Sequence, residues 1–381
     1  MLRDNLGWWI AGAVVLLLLT ASVLGATRRA GNTAAGAGSG RFGRRPHRDS
    51  FRPEGDADSA EPPLKRAAVI VNPMKFSDLG AVRARVERGC LEAGWGKPIW
   101  LETTLADPGT GQARAAVAEG AVVVCPLGGD GTVRAVAAGL VASETPLGLL
   151  SGGTGNLLAR NLDLPVDSLE NALRVALTGQ NQRVDVGRLT VDRSGEHEDP
   201  EQHVFLVMAG LGFDAAVMAG APERLKSAVG WGAYVVSGMR NLHGPQFRVR
   251  VRVDGGPEFS RRTRSVVIGN CGRLRGGLVL MPEAKIDDNQ LDLVLLSPKG
   301  VVGWTAVAGR LLSRRHKGHP IVDHHSGREV TVRADRPEHV QLDGDPIGRA
   351  TAIAATVDPL ALVVRVAHRP DTDRQVSRAP C

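Results

Sequence analysis

Two glycine-dense loops contain the residues best suited to phosphate chemistry. The first, GGDGT at 128–132, follows an apolar run and precedes an alanine-rich helical pattern, and the second, SGGTGN at 151–156, follows the next strand-like segment. Glycine accepts positive φ angles and lets phosphate oxygens approach backbone amides closely. A helix that begins directly after such a loop adds unpaired N–H groups and the positive end of its dipole. Two such loops in succession predict a cradle for a polyphosphate.

Neither loop carries one of the common nucleotide-binding fingerprints. A Walker A loop needs Gly-Lys-Ser/Thr, which is absent, and the pattern G-x-G-x-x-G fails because Arg134 and Leu158 stand where its last glycine would be. No G-x-S-x-G elbow of a serine hydrolase occurs either. The predicted site therefore differs from both the P-loop and the ordinary dinucleotide site.

Asp130 is the acid inside the first loop. A carboxylate in a phosphate cradle repels its ligand unless a cation intervenes or the acid has a chemical task. Two tasks fit: Asp130 could order the water around a bound Mg²⁺, or it could accept a proton from an attacking hydroxyl. The residues alone leave both open.

The elements around these loops predict two joined domains. From 65 to 186, strand-like runs alternate with helical patterns, which predicts an α/β nucleotide-binding domain with a parallel sheet covered on both faces. Ligands bind at the carboxyl ends of the strands in such a sheet, and both glycine loops fall there. From 187 to 357 the pattern is mainly strand-like, which predicts a C-terminal β-sandwich domain. The segment 358–368 is a candidate to return to the first domain.

The N-terminal region has a different composition. Residues 6–26 carry no charge and are long enough for one transmembrane helix. We therefore expect an anchor over 1–27, a disordered basic linker over 28–64 and a disordered tail over 369–381. Arginines follow the apolar run, which predicts a cell-membrane location with the N-terminus outside and the body cytoplasmic. A cleaved signal peptide is the alternative.

Charge and cysteine content narrow the class of partner. The chain of 381 residues has a formal net charge of +7. Much of this positive excess lies before residue 67, where most of the basic residues are arginine. This pattern favours an anionic phospholipid surface over a nucleic acid. Arg248, Arg250 and Arg252 could face lipid headgroups, or they could be a solvated strand face. The four cysteines form no C-x-x-C pair, which argues against a structural zinc site.

Five segments in order resemble the diacylglycerol kinase catalytic-domain family. These are VIVNP at 69–73, GGDGT followed by GTGN, AGLGFDA at 209–215, LVLMPEAKIDDNQLDLVLL at 278–296 and VQLDGDPIG at 340–348. The resemblance implies ATP-dependent phosphorylation of a lipid hydroxyl, with diacylglycerol as the leading substrate and ATP and Mg²⁺ as cofactors. It also implies an α/β nucleotide domain joined to a β-sandwich, with the active site in the cleft between them.

The same resemblance assigns roles to particular residues. The positions matching ATP contacts in the family are Asn72, Thr104, Gly128, Gly129, Asp130, Gly131, Thr132, Thr154 and Asn156. Asp345 falls where the family has a glutamate proposed as the general base, Asp185 matches a further acidic position, and Asp288 falls at a Mg²⁺ site. Read without the family, Asp185 could cap a strand end and Asp288 could be a turn residue. Asp345 could be a hairpin residue, because the pair Asp343-Gly344 is a turn signal.

Three other functions remain open at this stage. The chain could be an NAD kinase, which shares GGDGT, or a sphingoid-base kinase. It could also be a nucleotide-binding regulator that has lost catalysis, since Leu157 and Asp345 both depart from the family pattern. The lipid substrate in the membrane and the anionic phospholipid surface are the expected partners, with no nucleic acid, and a homodimer is left open.

Overall fold

The computed structural model describes residues 64–196, 199–212, 246–274, 279–297 and 322–368. The predicted anchor and tail, and all of the predicted linker except Leu64, lie outside these described residues. Within them, the chain folds into a parallel sheet with helices and a larger antiparallel sheet.

The first sheet has four parallel strands in the order β2-β1-β3-β4. The strands are β1 (Ala67–Val71), β2 (Ile99–Glu102), β3 (Val123–Gly128) and β4 (Leu150–Ser151). The helices are α1 (Leu79–Glu92), α2 (Thr110–Ala118), α3 (Asp130–Leu140), α4 (Leu157–Asn161) and α5 (Leu169–Thr178), with a 3₁₀ turn at Pro73–Lys75.

Consecutive residues along these strands are apolar because both faces of the sheet are buried. In β1, Val69 packs in the core that includes Val86 of α1 and Leu173 of α5. Its neighbour Ile70 packs in the opposite core, which includes Val136 of α3. The α/β architecture predicted from the alternating pattern is therefore confirmed.

The second sheet is antiparallel and closes around its own core as a β-sandwich. The strands are β5 (Gln180–Asp192), β6 (Glu201–Phe205), β7 (Met208–Gly212), β8 (Phe247–Val253), β9 (Phe259–Thr263), β10 (Ser265–Gly269), β11 (Leu291–Leu296), β12 (Val322–Gly327), β13 (Glu329–Leu342) and β14 (Asp345–Val366). The main path runs β12-β11-β10-β7-β13-β14-β5-β6, while β8 pairs with β13 and β9. Leu189, Phe205, Val249, Leu293 and Val332 are among the residues that fill the core.

Two long strands connect the domains. β5 contributes Val186 to the core shared with the α/β domain and Leu189 to the sandwich core, so the predicted boundary after 186 falls inside a continuous strand. β14 is 22 residues long, and its last part lies beside Leu147 of the α/β domain. There the N–H of Leu147 donates to the carbonyl of Val363 over 2.8 Å, and the N–H of Arg365 donates to the carbonyl of Leu147 over 2.9 Å.

The prediction of a single-pass membrane location, with the N-terminus outside and the body cytoplasmic, is corrected by the structure. Among the described residues, no helix is long and apolar enough to cross a membrane. The longest of them, α1, has 14 residues. The segment 6–26, from which the span was predicted, lies outside the described part of the chain.

Candidate active site

The two glycine loops touch each other at the carboxyl edge of the parallel sheet. A Cβ atom on Gly152 would lie 2.9 Å from the backbone nitrogen of Gly128, and one on Gly153 would lie 2.8 Å from the Cα of Gly129. Atoms this close to backbone leave no room for a side chain. Glycine is therefore required here because the backbones of neighbouring loops are in contact.

Gly129 differs from these glycines because it borders open space. Apart from its chain neighbours, no described residue has an atom within 4 Å of its Cβ position. It is also the N-cap of α3, and as a glycine it has no side chain with which to cap that end of the helix. Gly128, by contrast, makes room for the buried Thr132, whose hydroxyl oxygen would be 2.6 Å from a Cβ at 128. The uncapped first turn of α3 thus adjoins an opening that can accept an anion.

Asp130 binds the two loops together. Its Oδ1 accepts the N–H of Leu157 over 2.7 Å, and Leu157 is the first residue of α4. Asn156 has a left-handed backbone, with φ 48° and ψ 47°, and its amide donates to the carbonyl of Gly153 over 2.8 Å. Asp130 therefore caps the helix that follows the other loop, a structural contact that the sequence analysis did not find.

The hairpin between β13 and β14 places Asp345 next to the first loop. Asp343 and Gly344 have φ angles of 48° and 87°, and two positive φ angles in succession are what a type I′ turn requires. This turn brings the Oδ2 of Asp345 to 2.9 Å from the Cβ position of Gly131. The Asp345 side chain is 51% exposed. Asp345 and the glycine loop, distant in sequence, thus border the same opening.

Arg134, one turn after Gly131 in α3, holds this hairpin. Its Nη1 donates to the carbonyl of Leu342 over 2.7 Å, and its Nη2 donates to the Oδ2 of Asp345 over 3.2 Å. A second carboxylate, that of Asp343, lies 3.8 Å from Nη1. In the sequence, Arg134 stands out only as a departure from a fingerprint. Its position on the same face of α3 as Gly131 was the available signal.

Asp343 is a second functional residue that the sequence analysis missed. Its buried carboxylate accepts the N–H groups of Leu206, Val207 and Met208, with shortest distances of 3.2, 2.8 and 3.0 Å. Burial raises the pKa of Asp343, while Arg134 and these N–H groups oppose the rise. The carboxylate fastens the hairpin to the segment before β7. The Asp-Gly pair had indicated the turn but not this anchoring contact.

Asn72 and Thr104 follow β1 and β2 at the same edge of the sheet. The N–H of Asn72 donates to the carbonyl of Leu127 over 3.1 Å, and its side-chain oxygen accepts the N–H of Met74 over 3.1 Å. The hydroxyl oxygen of Thr104 accepts the N–H of Asp107 over 3.0 Å. Thr154 is exposed within the second loop. Their positions suit nucleotide contacts, and those contacts stay predictions.

Asp185 and Asp288 lie in a separate acidic region. The Oδ2 of Asp185 accepts the N–H of Asn289 over 2.6 Å, and its Oδ1 accepts the N–H of Leu360 over 2.7 Å. These bonds fasten the turn at 288–290 to β14 rather than to Asp130 or Asp345. Asn289 has a φ of 61°, a left-handed conformation that asparagine adopts more readily than most residues.

Asp288 sits in that turn as a partly buried acid. Its Oδ1 accepts the N–H of Gln290 over 3.1 Å. Burial raises the pKa of Asp288, and the nearby charges of Asp292 and Asp185 raise it further, against the lowering effects of the Gln290 bond and Lys285. No group of three or more His, Cys, Asp or Glu residues in the described ranges could hold a metal ion. Metal binding by Asp288 therefore stays a prediction.

A cavity of 530 Å³ lies between α3 and the outer side of β5 and β6. Gly131 and Arg134 line it on one side, and Leu342 and Ile347 line it beside the hairpin. Its apolar lining includes Ala138, Leu189 and Val204. The cavity thus extends from the point where the glycine loop meets the hairpin into the space between the domains.

Two family models together match most of the described chain. The model for the diacylglycerol kinase catalytic domain matches residues 66–189. The model for the YegS C-terminal NAD kinase beta sandwich-like domain matches residues 207–366. The first match contains both glycine loops, and the second contains the Asp345 hairpin.

Similar proteins and a similar structure agree with this division. A protein of Pseudomonas aeruginosa named "Probable lipid kinase YegS-like" is 32% identical over 260 residues, which cover 66% of this chain and 78% of that protein. A "Diacylglycerol kinase" of Staphylococcus saprophyticus is 26% identical over 294 residues, covering 75% of this chain and 90% of that protein. The crystal structure of a diacylglycerol kinase from Bacillus anthracis str. Sterne has the same fold, with a TM-score of 0.59 and 19% identity over 80% of this chain and 97% of its own.

The two matched ranges thus contain the glycine loops, the Asp345 hairpin and most of both sheets. The chain belongs to the diacylglycerol kinase catalytic-domain family of ATP-dependent lipid kinases.

Proposed function

We propose that this lipid kinase transfers the γ-phosphoryl group of ATP to the hydroxyl of diacylglycerol, forming phosphatidic acid. One observation carries the proposal: the carboxylate of Asp345 lies beside Gly131, at the opening bordered by Gly129 and the uncapped first turn of α3. A triphosphate bound there would end next to an acid able to accept a hydroxyl proton. The name of the Staphylococcus saprophyticus relative supports diacylglycerol as the acceptor.

The chemistry required of the protein is mainly positioning and charge neutralisation. The loop amides and the first turn of α3 would bind the phosphate oxygens. Asp345 would accept the proton of the acceptor hydroxyl, and Arg134 would orient that carboxylate through its bond to Oδ2. Asp130 would hold the two loops in register and place negative charge where metal-bound water is ordered.

Mg²⁺ fits the residues that are present. This ion keeps several waters and is commonly bound by one or two carboxylates together with substrate phosphates. Asp345 has its carboxylate beside Gly131, and Asp130 is the first residue of α3 after Gly129, so these two acids are the residues that would hold the ion. When bound, the ion would supply positive charge that neutralises phosphate oxygens. Asp288 remains a second candidate ligand, on the turn that Asp185 fastens.

The cavity between α3 and the sandwich suits the acceptor. It starts at Gly131 and Arg134, and its apolar lining can contact the glycerol and the first part of the acyl chains. A volume of 530 Å³ can hold the glycerol and the first part of the acyl chains, but not two whole acyl chains. The remaining chain length would stay in the lipid aggregate from which the substrate comes.

The decisive experiment offers competing acceptors to one enzyme. Purified protein with γ-labelled ATP and Mg²⁺ is given diacylglycerol in detergent micelles, a sphingoid base in the same micelles, or NAD. We expect label in phosphatidic acid, and we expect Asp345→Asn to abolish its transfer. Preferential labelling of the sphingoid base or of NAD would assign one of the two alternative kinase activities instead. Binding of ATP without transfer to any acceptor would identify a regulator.

A further inference from the structure

We propose that the outer face of β9-β8-β13 is a docking surface for an anionic lipid–water interface, an inference that rests on the proposed function for its purpose. The side chains of β8 alternate strictly. Phe247, Val249 and Val251 are buried in the sandwich core, whereas Arg248, Arg250 and Arg252 are exposed on the other side. The period of two in this strand therefore places three arginines on one face.

The neighbouring strands place more arginine directly opposite these residues. Arg248 pairs with Arg262 of β9, and Arg250 pairs with Arg333 of β13. Like charges directly opposite each other destabilise a sheet. These pairs therefore do not help the sheet to fold, and they become favourable when an external anion lies over them. We call Arg248, Arg250, Arg252, Arg262 and Arg333 the arginine face.

Contacts within the protein neutralise this charge only in part. Arg250 lies 3.9 Å from Glu258, but their side chains are 56% and 41% exposed, and an ion pair so accessible to water is worth little. Arg333 donates to the carbonyl of Gly195 over 2.9 Å, and the N–H of Gly195 donates to the carboxylate of Asp192 over 2.7 Å, so an acid also lies near Arg333. Glu329 and Asp335 of β13 are also exposed nearby. By contrast, Arg248, Arg252 and Arg262 form no ion pair with any described residue, so these arginines carry the charge that an external anion can meet.

The type of side chain indicates the type of anion. A guanidinium group presents a planar fork of N–H donors that matches phosphate oxygens. The other outward residues of these paired strands include Ser260 and Thr331, and no aromatic side chain belongs to the arginine face. Surfaces for single-stranded nucleic acid stack bases on aromatic rings. The arginine face therefore fits a layer of lipid phosphates better.

The location of the face connects it to the cavity. In the register of the sheet, Thr331 of β13 pairs with Ala354 of β14, and Ala354 pairs with Thr190 of β5. Thr190 lines the cavity, as does Thr356, the next outward residue of β14. The arginine face and the cavity are therefore on the same side of the sheet. Docking would bring the cavity towards the surface that holds the apolar substrate.

The test measures binding to vesicles rather than catalysis. Partitioning of the full chain is measured by sedimentation with phosphatidylcholine vesicles that contain roughly a third phosphatidylglycerol, an anionic surface. Arg248→Gln/Arg262→Gln is expected to weaken partitioning by about 30-fold, because each arginine near such a surface contributes about 1 kcal/mol. The matched control, Arg88→Gln/Arg174→Gln, removes the same charge from α1 and α5 and should leave partitioning unchanged.

Three results would overturn the proposal. One is equal loss of partitioning in the test and control variants, and another is equal binding of the wild type to pure phosphatidylcholine. The third is tighter binding to a DNA duplex than to the anionic vesicles at the same salt concentration. Removal of an opposed like-charge pair should leave the melting temperature unchanged or raise it, and Arg250→Gln provides a second variant if the double variant fails to fold.

The readouts separate this proposal from the kinase proposal. In neutral detergent micelles, Arg248→Gln/Arg262→Gln should phosphorylate diacylglycerol at the wild-type rate, because no anionic surface is present. Loss of vesicle binding in that variant, together with an inactive wild type, would refute the kinase proposal alone. Normal diacylglycerol kinase activity with no arginine-dependent vesicle binding would refute the docking proposal alone.

Discussion

Replacing Asp343 by alanine should be one of the most damaging single changes in the hairpin that carries Asp345. The carboxylate accepts the N–H groups of Leu206, Val207 and Met208, and all three of those residues are almost completely buried. Alanine keeps the backbone of the turn but removes every one of these acceptors. Arg134 also loses the carboxylate that lies 3.8 Å from its Nη1.

The size of the effect follows from the number of donors left without a partner. A buried polar group without a hydrogen bond costs about 1–3 kcal/mol, so three N–H groups would cost about 3–9 kcal/mol if all stayed unsatisfied. A water molecule in the space left by the carboxylate can satisfy one or two of them. We therefore expect the free energy of unfolding to fall by about 3–5 kcal/mol.

Urea denaturation followed by circular dichroism measures this change, with Asp343→Asn as the matched control. Asparagine keeps one oxygen that can accept from Val207 and Met208, both of which bond to Oδ1. Its cost should be about 1–2 kcal/mol, because the contact with the N–H of Leu206 is lost. In folded samples of either variant, the rate of diacylglycerol phosphorylation should also fall, because the hairpin that carries Asp345 is held less firmly. A loss below about 1 kcal/mol for Asp343→Ala would refute this reasoning.

Four further predictions concern the loops, the acids and the cysteines. Gly129→Ala should weaken ATP binding, measured by calorimetric titration, but leave the melting temperature unchanged, because its Cβ enters open space. Gly153→Ala should lower the melting temperature, because its Cβ would lie 2.8 Å from the Cα of Gly129. The same change in melting temperature and in ATP affinity for both variants would contradict this prediction. Asp130→Asn keeps an acceptor for the N–H of Leu157, so the fold should persist while kcat falls by about 10²–10⁴, and near-normal turnover would exclude the assigned role. The pKa of Asp343 is raised in the folded state by burial, so its contribution to stability is present below the ordinary Asp pKa and is lost as pH rises through the folded-state pKa; the stability of the wild type relative to Asp343→Asn, measured in urea, should therefore decrease as the pH rises above about 4, and an increase would have the wrong sign. Burial raises the pKa of Cys90 to about 11 and raises those of Cys125 and Cys271 further, so native protein should be alkylated at these thiols far more slowly than denatured protein, as peptide mapping would show.

Local patterns were sufficient for the architecture and for the loops. Alternating apolar runs and helical spacing predicted the parallel sheet, because a strand buried on both faces must be apolar throughout, as β1 is. Because each glycine loop directly follows a strand of this sheet, GGDGT and SGGTGN were predicted at its carboxyl edge, which is where β3 and β4 end. The Asp-Gly pair predicted the turn at 343–344, because both positions need positive φ.

The mutual arrangement of the acids was decided by tertiary packing. Arg134 and Asp345 are 211 positions apart and meet only because the sandwich packs against α3. Asp185 matches an acidic family position, yet its carboxylate serves the turn at Asn289 and the backbone at Leu360. Periodicity describes which side of an element is buried, but it contains no information about which distant element covers that side. The sequence by itself therefore determined the kind of fold and predicted a phosphate cradle in its glycine loops. Only the packing of the two domains decided which carboxylate lies beside those loops and which ones hold the structure together.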